Sequence, residues 1–140
     1  MNNPIFENKY SLIDKFLRIN EHPDVINLPV LDQQTFSNLR SMIDDDLMFS
    51  DLVTVYLSSA ENLIYTLQTS LDMQDFPTMK ISAHSLKSTS ASIGAVKLSQ
   101  ICKLIEQALK DGVVDIPVEC INIISQEYDL AIIEIKKLCL

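Results

Sequence analysis

A histidine and a lysine stand one helical turn apart in AHSLKSTSASIGA, residues 83–95. His84 brings an imidazole and Lys87 an ammonium, and from Ser88 to Ala95 only Ile93 has a large side chain. An exposed imidazole is largely neutral near pH 7, so one ring nitrogen keeps a lone pair and can act as a nucleophile. A phosphoryl group placed there would add a charge of about −1.5 to −2, which nearby ammonium groups would stabilise. Lys87 is one such group, and Lys80, a turn earlier, is the other.

A helix can present these residues together. At about 100° per residue, Met79, Ala83, Leu86, Ser90 and Ile93 fall on one stripe, which makes that stripe the core face. Lys80, His84, Lys87, Ser88 and Ala91 fall on a different face and form one patch, because side chains three and four apart on a helix meet. His84 is therefore expected to point towards solvent. Ser88 and Ala91 are small enough for a partner surface to approach the ring.

The rest of the chain reads as helices. Tyr10, Ile13, Phe16 and Leu17 recur at helical spacing and predict a short amphipathic helix over about residues 8–19. His22-Pro23 breaks it, and Pro29 closes the connection. Asp32 is placed as an N-cap, with Leu31 and Phe36 positioned as a hydrophobic staple around a short helix ending near Ile43. Ser50 is expected to cap the next helix, with Asp51 complementing its dipole. That helix carries an apolar stripe from Val53 through Tyr56, Ala60, Ile64 and Leu67 to Leu71. Pro77 suits the first turn of a third long helix, and Gly94 interrupts its far end. Leu98, Ile101, Cys102, Ile105 and Ala108 mark a fourth stripe that stops at Gly112. Ile121, Ile124, Tyr128, Ala131 and Ile135 mark a last one after Pro117. Short connections between such stripes imply antiparallel neighbours, and no stretch alternates with period two long enough to form a sheet. The expected fold is all-α, an antiparallel four-helix bundle (residues 31–140) with an additional short N-terminal helix in an extension at residues 1–30.

Composition narrows the function. A chain of 140 residues with two glycines and 47% hydrophobic content fits one helical domain. The net charge of −8 argues against general nucleic-acid binding. Charge is uneven, however: Lys80–Lys110 holds five lysines and one acid, Glu106, and is locally +4. Such a surface suits an acidic partner and salt-sensitive docking. The first residues have no signal-peptide pattern, Met1 reads as a natural start, and no apolar run is long enough to span a bilayer. Cys102, Cys120 and Cys139 read as free thiols in a reducing compartment, so a cytoplasmic location is expected.

With these residues in view, the chain resembles the histidine-containing phosphotransfer (HPt) domain of bacterial multistep phosphorelays. The resemblance lies in His84, Leu86, Lys87, the small residues after it and Gly94-Ala95. It continues through Leu98, Cys102 and Glu106, and VLDQQTFSNLR at residues 30–40 resembles the family's usual entry. It covers about residues 30–138. One position departs from the pattern: Ser88 stands where the family usually has glycine, adding a small side chain beside the ring. The resemblance implies that His84 accepts the phosphoryl group through its outward nitrogen, with Lys87 stabilising it. It implies transfer from an aspartyl phosphate on one receiver domain to another receiver, so the partners would be the receiver domains of response regulators and of a hybrid sensor histidine kinase. It implies no cofactor of the chain's own, since the receiver brings Mg²⁺. Lys80, Ser88, Ala91, Gly94 and Lys97 are the residues expected to meet the partner, and a monomer is the expected state. Such a chain is a phosphocarrier with no ATP site, more an intermediate than an enzyme on small molecules.

Other readings compete. The phosphoacceptor helix pair of a histidine kinase usually has an acid directly after its histidine and a proline four further on, where this chain has Ser85 and Thr89. A non-catalytic adaptor could dock a signalling partner through the lysine-rich face without phosphotransfer; His84→Gln separates it from a carrier. The Cys and His residues have no zinc-ligand spacing. A hydrolase would need an acid to orient His84, and none lies within one turn. Glu61, Glu106 and Glu134 read as solvated helix faces or ion-pair partners.

Overall fold

The computed structural model describes residues 16–139, and these are all-helical, with no strand. Five α-helices follow a short 3₁₀ turn at Ile19–Glu21: α1 Gln33–Ile43, α2 Asp46–Asp72, α3 Phe76–Ile93, α4 Val96–Lys110 and α5 Val118–Cys139. Helices α2 to α5 form the bundle, and α1 lies against α2 and α3. Most of the helix expected at residues 8–19 lies outside the described residues. Its end belongs to the core: Phe16, Ile19 and Val25 are buried, and the Cys120 thiol of α5 donates to the Phe16 carbonyl at 2.9 Å. No described helix is long and apolar enough to cross a membrane.

The stripes become the core as expected. Met79, Ala83, Leu86, Ser90 and Ile93 of α3 are all buried, as are Leu98, Ile101, Cys102, Ile105 and Ala108 of α4. Two polar contacts fix the helices' axial positions. Tyr56 and Ser90 share a buried hydrogen bond of 2.9 Å between α2 and α3. The Tyr128 hydroxyl of α5 donates to the Leu57 carbonyl of α2 at 2.9 Å. Burial comes first in pushing the Tyr56 phenol up to about 12, so it stays neutral.

Helix α2 starts earlier than the sequence reading placed it. Asp45, not Ser50, is the N-cap; its carboxylate accepts from the Met48 amide at 3.0 Å. Asp44, in the left-handed region at φ 49°, ends α1, so the chain turns in two residues and the first available cap is used. The Asp32 side chain does not cap α1 but accepts from the Thr35 hydroxyl at 2.6 Å. The Asp32 amide instead donates to the Gly94 carbonyl at 2.7 Å, tying the start of α1 to the end of α3.

Candidate functional site

Helix α3 has a defined start and a defined end. Asp75 caps it, accepting from the Thr78 amide at 3.2 Å and the Thr78 hydroxyl at 2.6 Å, with Pro77 in the first turn. Gly94, at φ 97°, ends it. The Ala95 amide reaches back to the Ser90 carbonyl at 2.8 Å and the Gly94 amide to the Ala91 carbonyl at 3.2 Å, the paired bonds of a glycine-terminated helix. The chain then re-enters α4 at Val96, so α3 and α4 form a tight antiparallel hairpin. Ser99 of α4 donates its hydroxyl to the Lys87 carbonyl at 2.8 Å and fixes the register beside the site.

His84 stands outward in the middle of α3, its side chain 59% exposed. Its Nδ1 lies 2.9 Å from Oε1 of Glu106 on α4. That carboxylate is almost fully buried, yet it gathers two ammonium groups as well. Lys87 Nζ lies 2.8 Å from Oε2, a close ion pair, and Lys110 Nζ lies 3.1 Å from Oε1. Burial pushes the Glu106 carboxyl up, but the contacts with Lys87, His84 and Lys110 together outweigh it and hold it down at about 2. Glu106 is thus ionised and can only accept, so His84 must donate its Nδ1–H. The lone pair then sits on Nε2, the nitrogen facing away from Glu106. An imidazole held in one tautomer by a buried carboxylate, with its other nitrogen outward, can act as a nucleophile. Among the described residues no serine or cysteine hydroxyl or thiol hydrogen-bonds to the ring, as a hydrolase would need. Burial, with the Glu106 charge beside it, pushes the nearby Cys102 thiol far up and leaves it inert.

The structure sorts the residues expected around His84 into two groups. Lys80, Ser88 and Ala91 are exposed on the same helix face, and Lys87 is half-buried against Glu106. Gly94 and Lys97 are not on that open surface. Gly94 is buried, and a Cβ there would meet the Asp32 carbonyl at 2.8 Å, so it serves the turn and the packing of α1. Lys97 turns inward, 3.7 Å from the buried Glu127 of α5.

Glu106 is buried and not a solvated helix face; it is the ion-pair partner that the other expectation allowed, and its contact with the His84 ring is what that expectation left out. The signal was present in the hairpin. His84 stands ten residues before Gly94 and Glu106 eleven after Ala95. Two antiparallel helices folded about that pair must bring these positions level, so the acid missing from His84's own helix comes from the next one. Lys110, one turn beyond Glu106, follows from the same arithmetic.

An apolar groove lies on the other side of the α3 surface. Leu39 of α1, Leu52 and Val55 of α2, and Thr89 and Ser92 of α3 line it.

The geometry is thus that of a helical bundle displaying an outward histidine bound to a buried carboxylate, and comparison with known proteins gives its family. A family model described as Hpt domain matches residues 51–136, and the chain belongs to that family. Multistep phosphorelay regulator 1 of Schizosaccharomyces pombe is 31% identical over 96 residues, which is 64% of this chain but 32% of that protein. Histidine-containing phosphotransfer protein 1 of Arabidopsis thaliana is 30% identical over 105 residues, covering 72% of this chain and 68% of that one. The chain thus spans about a third of the fission yeast relative and about two thirds of the plant one. Among solved structures, histidine-containing phosphotransfer protein B of Pseudomonas aeruginosa superposes with a TM-score of 0.73 at 24% identity, over 79% of this chain and 95% of that one. The MtHPt2 protein of Medicago truncatula does so with a TM-score of 0.68, also at 24% identity, over 94% and 90%. Both share the fold.

Proposed function

We propose that this chain is a phosphorelay intermediate that accepts a phosphoryl group on Nε2 of His84 from a receiver-domain aspartyl phosphate and passes it to another receiver. The observation that carries this is the His84–Glu106 hydrogen bond, which commits the ring proton to Nδ1 and leaves Nε2 as the outward nucleophile. In the forward step the Nε2 lone pair forms the N–P bond while the P–O bond to the receiver's aspartyl group breaks, and the aspartate leaves with that electron pair. The ring becomes a phosphoimidazolium, its Nδ1 proton still held by Glu106. A carboxylate in this position orients the imidazole and stabilises the charged ring without taking the proton. Lys87, beside Glu106, is the ammonium that meets the phosphoryl charge. Onward transfer is the same step in reverse, to a second aspartate.

The donors and acceptors are receiver domains of response regulators and of a hybrid sensor kinase, and they supply the Mg²⁺ for the aspartyl chemistry. The receiver approaches over Ser88 and Ala91, with Lys80 at one edge. Ser88, in place of glycine, leaves the approach open, since it is small and lies on the exposed surface.

The test is a transfer assay with radiolabelled phospho-receiver domains from the source organism, run on wild type and His84→Gln side by side. Label on the wild type alone, in an acid-labile linkage, supports the carrier. Receiver binding with no label on either protein would replace it with the adaptor reading.

A further inference from the structure

Glu106 has one more cation than its charge requires. Lys87 already neutralises it through Oε2 at 2.8 Å. Lys110 adds a second ammonium, and it sits on Oε1, the oxygen that receives the Nδ1–H of His84. The two donors lie 3.1 and 2.9 Å from that one atom. The Lys110 side chain is 52% exposed, so its head group could be solvated by water instead and does not need this partner. It comes from the last turn of α4, four residues after Glu106, a spacing at which side chains meet.

A positive charge on a carboxylate oxygen makes that oxygen a poorer acceptor, because it draws density from the lone pairs and competes for them. We infer that Lys110 is a positioning residue for phosphoryl transfer: by sharing Oε1 of Glu106 with His84, it weakens the carboxylate's hold on the ring proton and so eases departure of the phosphoryl group from His84. The inference rests on reading His84 as the phosphoryl acceptor. Phosphorylated His84 carries a positively charged ring, and the tighter Glu106 holds its Nδ1 proton, the more stable that form becomes. A carrier has to give the group up again. Lys87, on the other oxygen, satisfies the buried charge and faces the phosphoryl group, while Lys110 tunes the oxygen that serves the ring. The lysine pair thus divides two tasks that a single cation could not perform separately.

The experiment uses the full chain as wild type, Lys110→Met and Lys110→Arg. Methionine keeps the length and helix preference of lysine without its charge, so the helix end is preserved. Two readouts are taken: the His84 Nδ1 proton resonance in the unphosphorylated, ¹⁵N-labelled protein, and the distribution of label at equilibrium with a phospho-receiver. In Lys110→Met the proton should move downfield, as its hydrogen bond strengthens. The share of label held on His84 should rise about two- to fivefold, the scale of a half-exposed ion pair, with return transfer slowed to match. Lys110→Arg should restore both. An unmoved resonance and an unchanged distribution would reduce Lys110 to a surface ion pair and overturn the inference. So would a fall in label on His84, which would make Lys110 a direct holder of the phosphoryl group. Wild type that takes no label from any receiver would instead sink the carrier reading, and this inference with it; labelled wild type with an indifferent Lys110→Met would sink only the inference.

Discussion

Oε1 of Glu106 lies 2.9 Å from Nδ1 of His84, joining residues 22 positions apart across the α3–α4 hairpin. The bond fixes which ring nitrogen is free, so removing it should disable chemistry before it disables folding. Glu106→Leu should slow single-turnover phosphoryl acceptance by on the order of 10²-fold, the usual scale for a group that holds a catalytic proton in place. Glu106→Gln should fall between the two, because its amide oxygen can accept the Nδ1–H but carries no charge. Rapid-quench kinetics with a phospho-receiver, alongside circular dichroism, would check this. A Glu106→Leu protein that transfers at the wild-type rate would remove the carboxylate from the mechanism.

The same carboxylate predicts an acid limit. In the folded chain it titrates at about 2, below the ordinary value of 4.5. A carboxyl whose pKa is lowered by folding contributes its stability above the ordinary value and loses it as pH falls towards the folded one. The contribution is thus present above about pH 4.5 and lost between there and about pH 2. Urea unfolding at a series of pH values should show this loss in wild type and a flatter profile in Glu106→Gln.

His84 itself should be cheap to replace. Its side chain is largely exposed, and a glutamine there can still offer an N–H to Glu106. His84→Gln should abolish phosphorylation while changing unfolding free energy by less than about 1 kcal/mol. A large drop in Tm would mean that the ring supports the bundle as well as the chemistry.

How much of this was legible in the sequence depended on whether a feature was local. The outward face of α3 followed from helical spacing, and Met79, Ala83, Leu86, Ser90 and Ile93 are buried as that spacing requires. Glu106 was not legible as a site residue, because its role is set by register between two helices, and its own neighbours look like an amphipathic surface. The inward placement of Lys97 was hidden for the same reason: its partner Glu127 lies on another helix, and nothing near position 97 announces it. The start of α2 was misplaced because Asp44, Asp45, Asp46 and Ser50 are all competent caps, and only the geometry of the preceding turn selects Asp45.

Gly94 can be moved from partner contact to scaffold by comparison with Gly112. Both have positive φ, 97° and 84°. A Cβ at Gly112 would meet nothing within 4 Å, whereas at Gly94 it would meet the Asp32 carbonyl at 2.8 Å. Gly112→Ala should therefore cost only left-handed strain, about 1 kcal/mol. Gly94→Ala should cost clearly more, because α1 must shift as well. The folded fraction of Gly94→Ala should still accept phosphoryl at His84. Thermal melts of the two variants in parallel decide it, and equal losses would remove the α1 contact from the account.

Receiver docking should depend less on charge than five lysines suggest. Lys87 is paired with Glu106 and Lys97 with Glu127, and the second cation on Glu106, Lys110, is half exposed, so the outward charge of this stretch falls mainly to Lys80, Lys103 and Lys110. The neighbouring groove offers apolar area instead, with Val55 64% exposed at its edge. Binding should weaken only a few-fold between about 50 mM and about 500 mM salt, since screening acts on three exposed charges and not five. Val55→Glu, on the exposed side of α2, should cost about tenfold or more in affinity by placing a charge against a buried apolar contact. Titration calorimetry at the two salt concentrations would separate these contributions. A steep salt dependence with an indifferent Val55→Glu would place the receiver on the lysine side of His84, over α4, and away from the groove.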